Sequence, residues 1–324
     1  MTAVLQSFKS VQQVIIVIMF FFGAYTDAQI AAKSVACDLC GCVSSGGSGA
    51  FGTLNNTSFI GIKYTGQEYR SRNGIFDNSP VTVEQFNSIQ LWAKVPVSKS
   101  FFTTASVPFQ ILERTAALSE SEQLEGLGDI TVMGWYTLPI YKKLRGTDIP
   151  FENKIPSGHT INAGLGVKLP MGRFEERLAD RVNPGFQLGT GSTDPVVTAM
   201  HIYGKGNVGI NTAIAYYFKT ENKNEYKFGN QLSINSSAFY NIPFNSSSLR
   251  PFFGASADYF AAIEQFGEEL PRTNGRLLSG NVGAEYNFST YMIGASYNLP
   301  IEQKLFDNDV QAGNRLSLYI NYLF

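Results

Sequence analysis

The three cysteines of this 324-residue chain, Cys37, Cys40 and Cys42, fall together as Cys-Asp-Leu-Cys-Gly-Cys, directly ahead of the Gly/Ser run at residues 44–49. Three chemistries fit that spacing. In an oxidising compartment two of the thiols close a disulfide, such as Cys37 to Cys40, and leave one over. Kept reduced, the thiolates gather a soft metal ion, Cu or Zn. Lipidation of Cys37 is the third, although Ser34 stands where a leucine-like residue would precede Val35-Ala36-Cys37. The only histidines, His159 and His201, lie far away in sequence, each in a strand-like stretch. His201 shares the polar parity of its stretch with Tyr203, which points to hydrogen bonding inside the fold. No Ser or Asp stands at a recognisable spacing from either histidine, so no nucleophile and base can be assembled and catalysis is not expected.

The segment ahead of the cysteines sets the compartment. Lys9 precedes an apolar run, residues 14–22, and the small residues up to Ala28 follow it. That is the form of a secretory leader cut after Ala28, and the run is shorter than the roughly 17–25 residues of a spanning helix. The chain divides on this reading into a signal peptide (1–28), a flexible Cys/Gly/Ser-rich periplasmic segment (29–56) and a body (57–324). With 25 Lys+Arg against 26 Asp+Glu, no nucleic-acid partner is implied. Charged residues reach only 16% while Phe and Tyr number 25 and 16, an odd surface for a soluble domain.

The body alternates with period two. Leu316, Leu318, Ile320, Tyr322 and Phe324 share one parity, and Arg315, Ser317, Tyr319 and Asn321 the other. Twelve such stretches recur, among them residues 208–218 and 227–242, many longer than strands of globular sheets and long enough to cross a bilayer at a tilt. In the stretch at residues 196–202, Val196, Met200 and Ile202 read as the lipid-facing side. Extending that parity backwards aims Asp194 at the bilayer, so a break or bulge is expected at Pro195.

Connection lengths alternate as well. The second, sixth, eighth and tenth are short (residues 98–99, 204–206, 243–248 and 288–290). The odd-numbered ones are mostly longer and polar, including residues 170–184 and 302–313. Short turns on one side and long loops on the other mark an outer-membrane barrel, which must close because lipid cannot satisfy an open edge. Residues 141–157 are too long for their side, and residues 220–225 too short for theirs. The final in-phase pair Tyr322 and Phe324 resembles the C-terminal signal that such barrels present to the barrel-assembly machinery.

Three stations carry a family resemblance: Gly126-Leu-Gly128-Asp129, the segment from Lys168 through Pro170 to Gly172, and Gly189-Thr-Gly191-Ser-Thr-Asp194-Pro195. In order and approximate spacing they resemble the outer-membrane transporter family associated with the meta-pathway of phenol degradation. The resemblance implies a Gram-negative outer-membrane barrel of transporter type, distantly similar to fatty-acid and aromatic-hydrocarbon channels, and gives no substrate.

The expected fold is therefore all-β: a transmembrane antiparallel up-and-down barrel of about twelve strands, with fourteen as the alternative. The lumen candidates are Lys63, Trp92, Lys94, Asp129, Trp135, Lys168, Lys219, Asp258, Phe260, Glu285 and Arg315. Their mixed charges argue against strong ion selectivity, and their aromatics suit a small, partly apolar solute. The expected function is a channel in the outer membrane of a Gram-negative bacterium, with the N-terminal segment and C-terminus periplasmic. Its partners would be outer-membrane lipid, the assembly machinery and a small-molecule solute. The alternative is a non-transporting anchor whose Cys cluster docks a periplasmic metal or redox protein.

Overall fold

A computed structural model describes residues 58–72, 81–116, 121–139, 158–178 and 181–324. The leader, the 29–56 segment and its three cysteines lie outside these residues. Twelve strands form one closed antiparallel barrel. They are β1 (Phe59–Arg72), β2 (Val81–Pro96), β3 (Phe101–Ala116), β4 (Ile130–Pro139), β5 (Gly158–Leu169), β6 (Asp194–Lys205), β7 (Val208–Tyr217), β8 (Gln231–Tyr240), β9 (Ser247–Phe260), β10 (Gly275–Phe288), β11 (Tyr291–Leu305) and β12 (Val310–Leu323). Each pairs with its sequence neighbours, and β1 closes on β12 with Phe59 opposite Leu323 and Lys63 opposite Tyr319. A short strand, Glu122–Leu127, extends the edge of β3 beyond β4, and Ile242–Pro243 pairs with β9. Among the described residues no helix is long and apolar enough to cross a membrane, so any crossing is by strands.

The alternation separates wall from lumen. Ile60, Ile62, Leu91, Phe109, Leu165, Ile210, Ile214, Phe253, Val282, Ile293 and Leu318 are exposed on the outer surface, while their sequence neighbours turn inward. Near the short turns the outer wall carries a chain of rings, Tyr286, Phe288, Tyr291, Tyr322 and Phe324, with successive centroids 5.6–6.5 Å apart. The first strand begins and the last ends beside those turns, where Leu323 N donates to Thr290 O and Phe324 N to Ser58 O.

Three expectations need correction. In β6 the faces are inverted: Val196, Thr198, Met200 and Ile202 point inward, Val197 is the exposed residue, and Asp194 starts the strand fully buried without a break. Val196 packs with Ala215 and Tyr217, and Met200 and Ile202 with Trp135 and Ala213, so apolarity here marks a filled interior rather than a lipid face. The stretch at residues 227–242 is barrel strand continuously only over Gln231–Tyr240, with Ile242 in the short piece that pairs with β9; Tyr226–Lys227 pairs instead with Glu264–Gln265. Three connections complete the comparison. Residues 141–157, the first misfit, lie outside the described residues. The eleventh, expected as a long loop over residues 302–313, is instead the tight turn Phe306–Asn308, three successive positive-φ residues of which Asp307 and Asn308 belong to types that tolerate that region. The seventh spans the whole interval from Tyr217 to Gln231.

Candidate functional site

The three glycine-rich stations converge on one buried cluster at the long-loop end of the lumen. Asp129 follows Gly128 at the joint between Glu122–Leu127 and β4, and its carboxylate accepts four hydrogen bonds. Oδ1 takes Gly172 N at 3.0 Å, and Oδ2 takes Thr190 N and Oγ1 at 2.9 Å and Lys168 Nζ at 2.7 Å. Lys168, at the end of β5, also donates to Thr190 Oγ1 and to Ser192 O at 3.1 Å. It stands 3.2 Å from Asp194 Oδ2, the same oxygen that Lys219 approaches at 3.1 Å. Thr220 N closes the remaining Asp194 oxygen at 3.1 Å. Two carboxylates and two ammonium groups, all buried, thus neutralise one another, which is the condition for holding charge away from water.

These bonds hold the largely buried stretch from Asn183 to Ser192, in the connection between β5 and β6, inside the barrel. Phe186 and Leu188 from that connection pack with Leu112 of β3 and Leu124, and Phe86 of β2 covers them. Gln187 folds the segment on itself, bonding both the N–H and the C=O of Glu176 at 2.9–3.0 Å. The glycines have a steric cause. A Cβ on Gly172 would stand 2.6 Å from Leu188 O, and one on Gly191, at φ +72°, would meet the Phe174 ring. Gly126 sits at φ +151° against Leu188. Asn222, from the seventh connection, donates to Thr190 O at 2.9 Å and ties the two connections together.

Beside this cluster lies an apolar layer. Tyr69, Tyr226, Phe228, Phe260, Ile263, Leu277, Leu305, Phe306 and Val310 form one buried group. It joins the inward segment through Phe86, whose ring lies edge-on to Tyr69 at 5.7 Å and to Phe186 at 5.8 Å.

The short-turn half differs. Phe59, Trp92, Met292, Tyr319 and Leu323 cluster there. Tyr319 donates to Glu285 at 2.8 Å, with Arg250 3.8 Å from the same carboxylate. Lys94 stands 4.2 Å over Phe102, which stacks on Trp135 at 5.6 Å, and Trp135 Nε1 donates to Thr104 at 3.0 Å.

All eleven lumen candidates face inward. Asp129, Lys168 and Lys219 join the long-loop cluster, and Phe260 the apolar layer. Asp258 accepts from Ser233 and Gln231 nearby, the latter at 3.3 Å. Lys63, Trp92, Lys94, Trp135 and Glu285 line the other half, and Arg315, opposite Gln67 and nearer the Val310 end of β12, belongs to the long-loop half. Sequence reasoning missed Phe186, Leu188, Arg250 and Tyr319, and carried Thr190 only as part of the third glycine-rich station. A Phe and a Leu inside an otherwise polar loop were the available signal for the inward fold. His201 is placed outside, not in the lumen. His159 and His201 share the outward parity of β5 and β6, with Nδ1 of one 2.9 Å from Nε2 of the other, and Tyr203 lies against His159.

Residues 80–306 match the family described as "Putative MetA-pathway of phenol degradation". The chain belongs to that family. The match takes in all three glycine-rich stations, so the cluster around Asp129 is built from the family's own segment of the chain. Among curated proteins no sequence relative matches. Among solved structures the chain is similar to an outer-membrane channel from Pseudomonas putida F1, at 13% identity and a TM-score of 0.58, covering 84% of this chain and 97% of that one. It is also similar to the beta domain of the Bordetella autotransporter BrkA, at 7% identity and a TM-score of 0.50, covering 83% and 100%. At such identities the likeness concerns the fold, a barrel of the outer-membrane kind.

Proposed function

We propose that this member of the phenol-degradation MetA family is an outer-membrane channel for a small solute, with the segment between β5 and β6 as its constriction. The observation that carries the reading is the clamp itself. Asp129, Lys168, Asp194 and Lys219 hold a chain connection inside the lumen by hydrogen bonds and ion pairs, contacts that can exchange for water without unfolding the wall. A barrel serving only as an anchor has no need of a held-in segment. Asn162, Asn211, Asn281 and Asn321 line the rest of the interior, as suits a hydrated path. The exposed apolar wall supports residence in the outer membrane, and the likeness to the Pseudomonas putida outer-membrane channel agrees with transport. On this reading residues 1–28 export the chain, and the short turns and both ends of the barrel face the periplasm. A twelve-stranded barrel is narrow, which limits the solute to small size.

The test is current through purified protein in planar bilayers, wild type beside a variant in which residues 174–188 are replaced by a short Gly/Ser linker. Small discrete steps in the wild type and larger ones in the variant are expected. Absence of current from both would sink the channel reading.

A further inference from the structure

We infer that the short-turn half of the lumen is a selectivity vestibule for small organic anions with an aromatic or apolar body, an inference that rests on the channel reading. It comes from where the charges fall. In the long-loop half, Arg114, Lys168, Lys219 and Arg315 face Glu84, Asp129, Asp194 and Asp258, four cations against four carboxylates on or next to barrel strands, and Glu122 adds an acid at the rim beside Arg114. Among the described residues, these inward-facing groups carry no positive excess. In the short-turn half the inward-facing ions of the barrel strands are Lys63, Lys94 and Arg250 against Glu285 alone, an excess of two positive charges. Glu285 is moreover engaged by Tyr319 and Arg250. Mixed charge along the chain is thus segregated in space, and a narrow low-dielectric lumen magnifies such an excess.

The aromatic half of the argument is local. Lys63 stands 5.7 Å over Trp92, and Lys94 stands 4.2 Å over Phe102, itself stacked on Trp135. A cation held over a ring places two chemistries side by side: an ammonium for a carboxylate, and the uncovered edge of the ring for the apolar body attached to it. Both such stations lie on neighbouring strands β1 to β4, so they form one continuous strip of wall.

Reversal potentials under a potassium chloride gradient test the charge. The wild type should favour chloride over potassium, and Lys63→Gln with Lys94→Gln should lose most of that preference. A conducting protein without it, or one that the double variant leaves unchanged, overturns the vestibule and spares the channel. The two tryptophans of the chain, Trp92 and Trp135, give a readout that needs no current. Iodide should quench their fluorescence more than caesium does, with the order weakened in the double variant; equal quenching overturns the inference. A silent protein with iodide preference would instead fault the channel reading alone. Benzoate should reduce the chloride current at lower concentration than acetate, and equal block removes the aromatic part. Retained heat-modifiable migration shows that each variant is folded, and the single variants serve if the double one is not.

Discussion

Gly172 and Gly189 meet backbone to backbone: a Cβ added to Gly172 would lie 2.7 Å from the Gly189 Cα, and one added to Gly189 would lie 2.6 Å from the Gly172 carbonyl oxygen. Because the obstacle is main chain, no rotamer change relieves it. Gly172→Ala or Gly189→Ala should therefore destabilise the folded-in segment by about 1–3 kcal/mol, the usual range for overpacking a close contact. Limited proteolysis between β5 and β6 should speed up in either variant, while the barrel keeps its heat-modifiable migration. Unchanged cleavage would mean that the two chains can part at little cost.

Asp129 bonds both ends of the same segment, through Gly172 and Thr190. Asp129→Ala strands Lys168 with one remaining carboxylate partner and leaves two buried N–H groups without their acceptor. Removing one member of a buried ion pair costs about 3–5 kcal/mol. The expected result is larger or noisier conductance steps together with a lowered urea midpoint; a quiet wild-type-like trace would remove Asp129 from the clamp.

The inverted faces of β6 can be checked directly. Val197 is 45% exposed on the outer wall, whereas Val196 is 1% exposed. Val197→Arg should cost about 2–4 kcal/mol in lipid-vesicle folding if it sits near the bilayer midplane, the range for a basic residue on the lipid face. A Val197→Arg protein that folds into vesicles as well as wild type would contradict the placement.

At the tight turn after β11, the hydrogen bond from Lys304 at 2.9 Å, with its charge and that of Arg272, holds the Asp307 carboxyl below its ordinary value. A depressed carboxylate contributes stability that is present above its unfolded pKa, near 3.9, and that is lost as pH falls through the folded pKa. Amide protection factors at Phe306 to Asp309, measured against the intrinsic exchange rate at each pH, should accordingly fall only at acid pH, and Asp307→Asn should flatten that dependence. An acid-insensitive wild type would contradict it.

Most of the wall was legible because period two is a property of the strand itself. Eleven stretches present the face that their apolar residues indicate, and β6 is the exception for a physical reason. A twelve-stranded barrel is narrow enough to be filled by side chains, so inward positions such as Val196, Met200 and Ile202 are apolar too. In β6 the deciding residue was Asp194, whose charge cannot face lipid, and not the valine next to its proline. The clamp was only half legible. Asp129, Lys168 and Asp194 stand out as motif residues, but their meeting depends on strands β4, β5 and β6 being neighbours and on an inward loop. Thr190 and Phe186 became visible only through that geometry.

The closing pair of strands has a temporal consequence. Phe59 at the start of β1 pairs with Leu323 at the end of β12, and Phe324 N reaches back to Ser58 O. Every other strand pair can form between neighbours in sequence, but this seam needs nearly the whole chain present. Until residue 323 arrives, β1 and the growing end each show an unpaired edge, so the barrel remains an open, adhesive sheet for as long as the chain is incomplete.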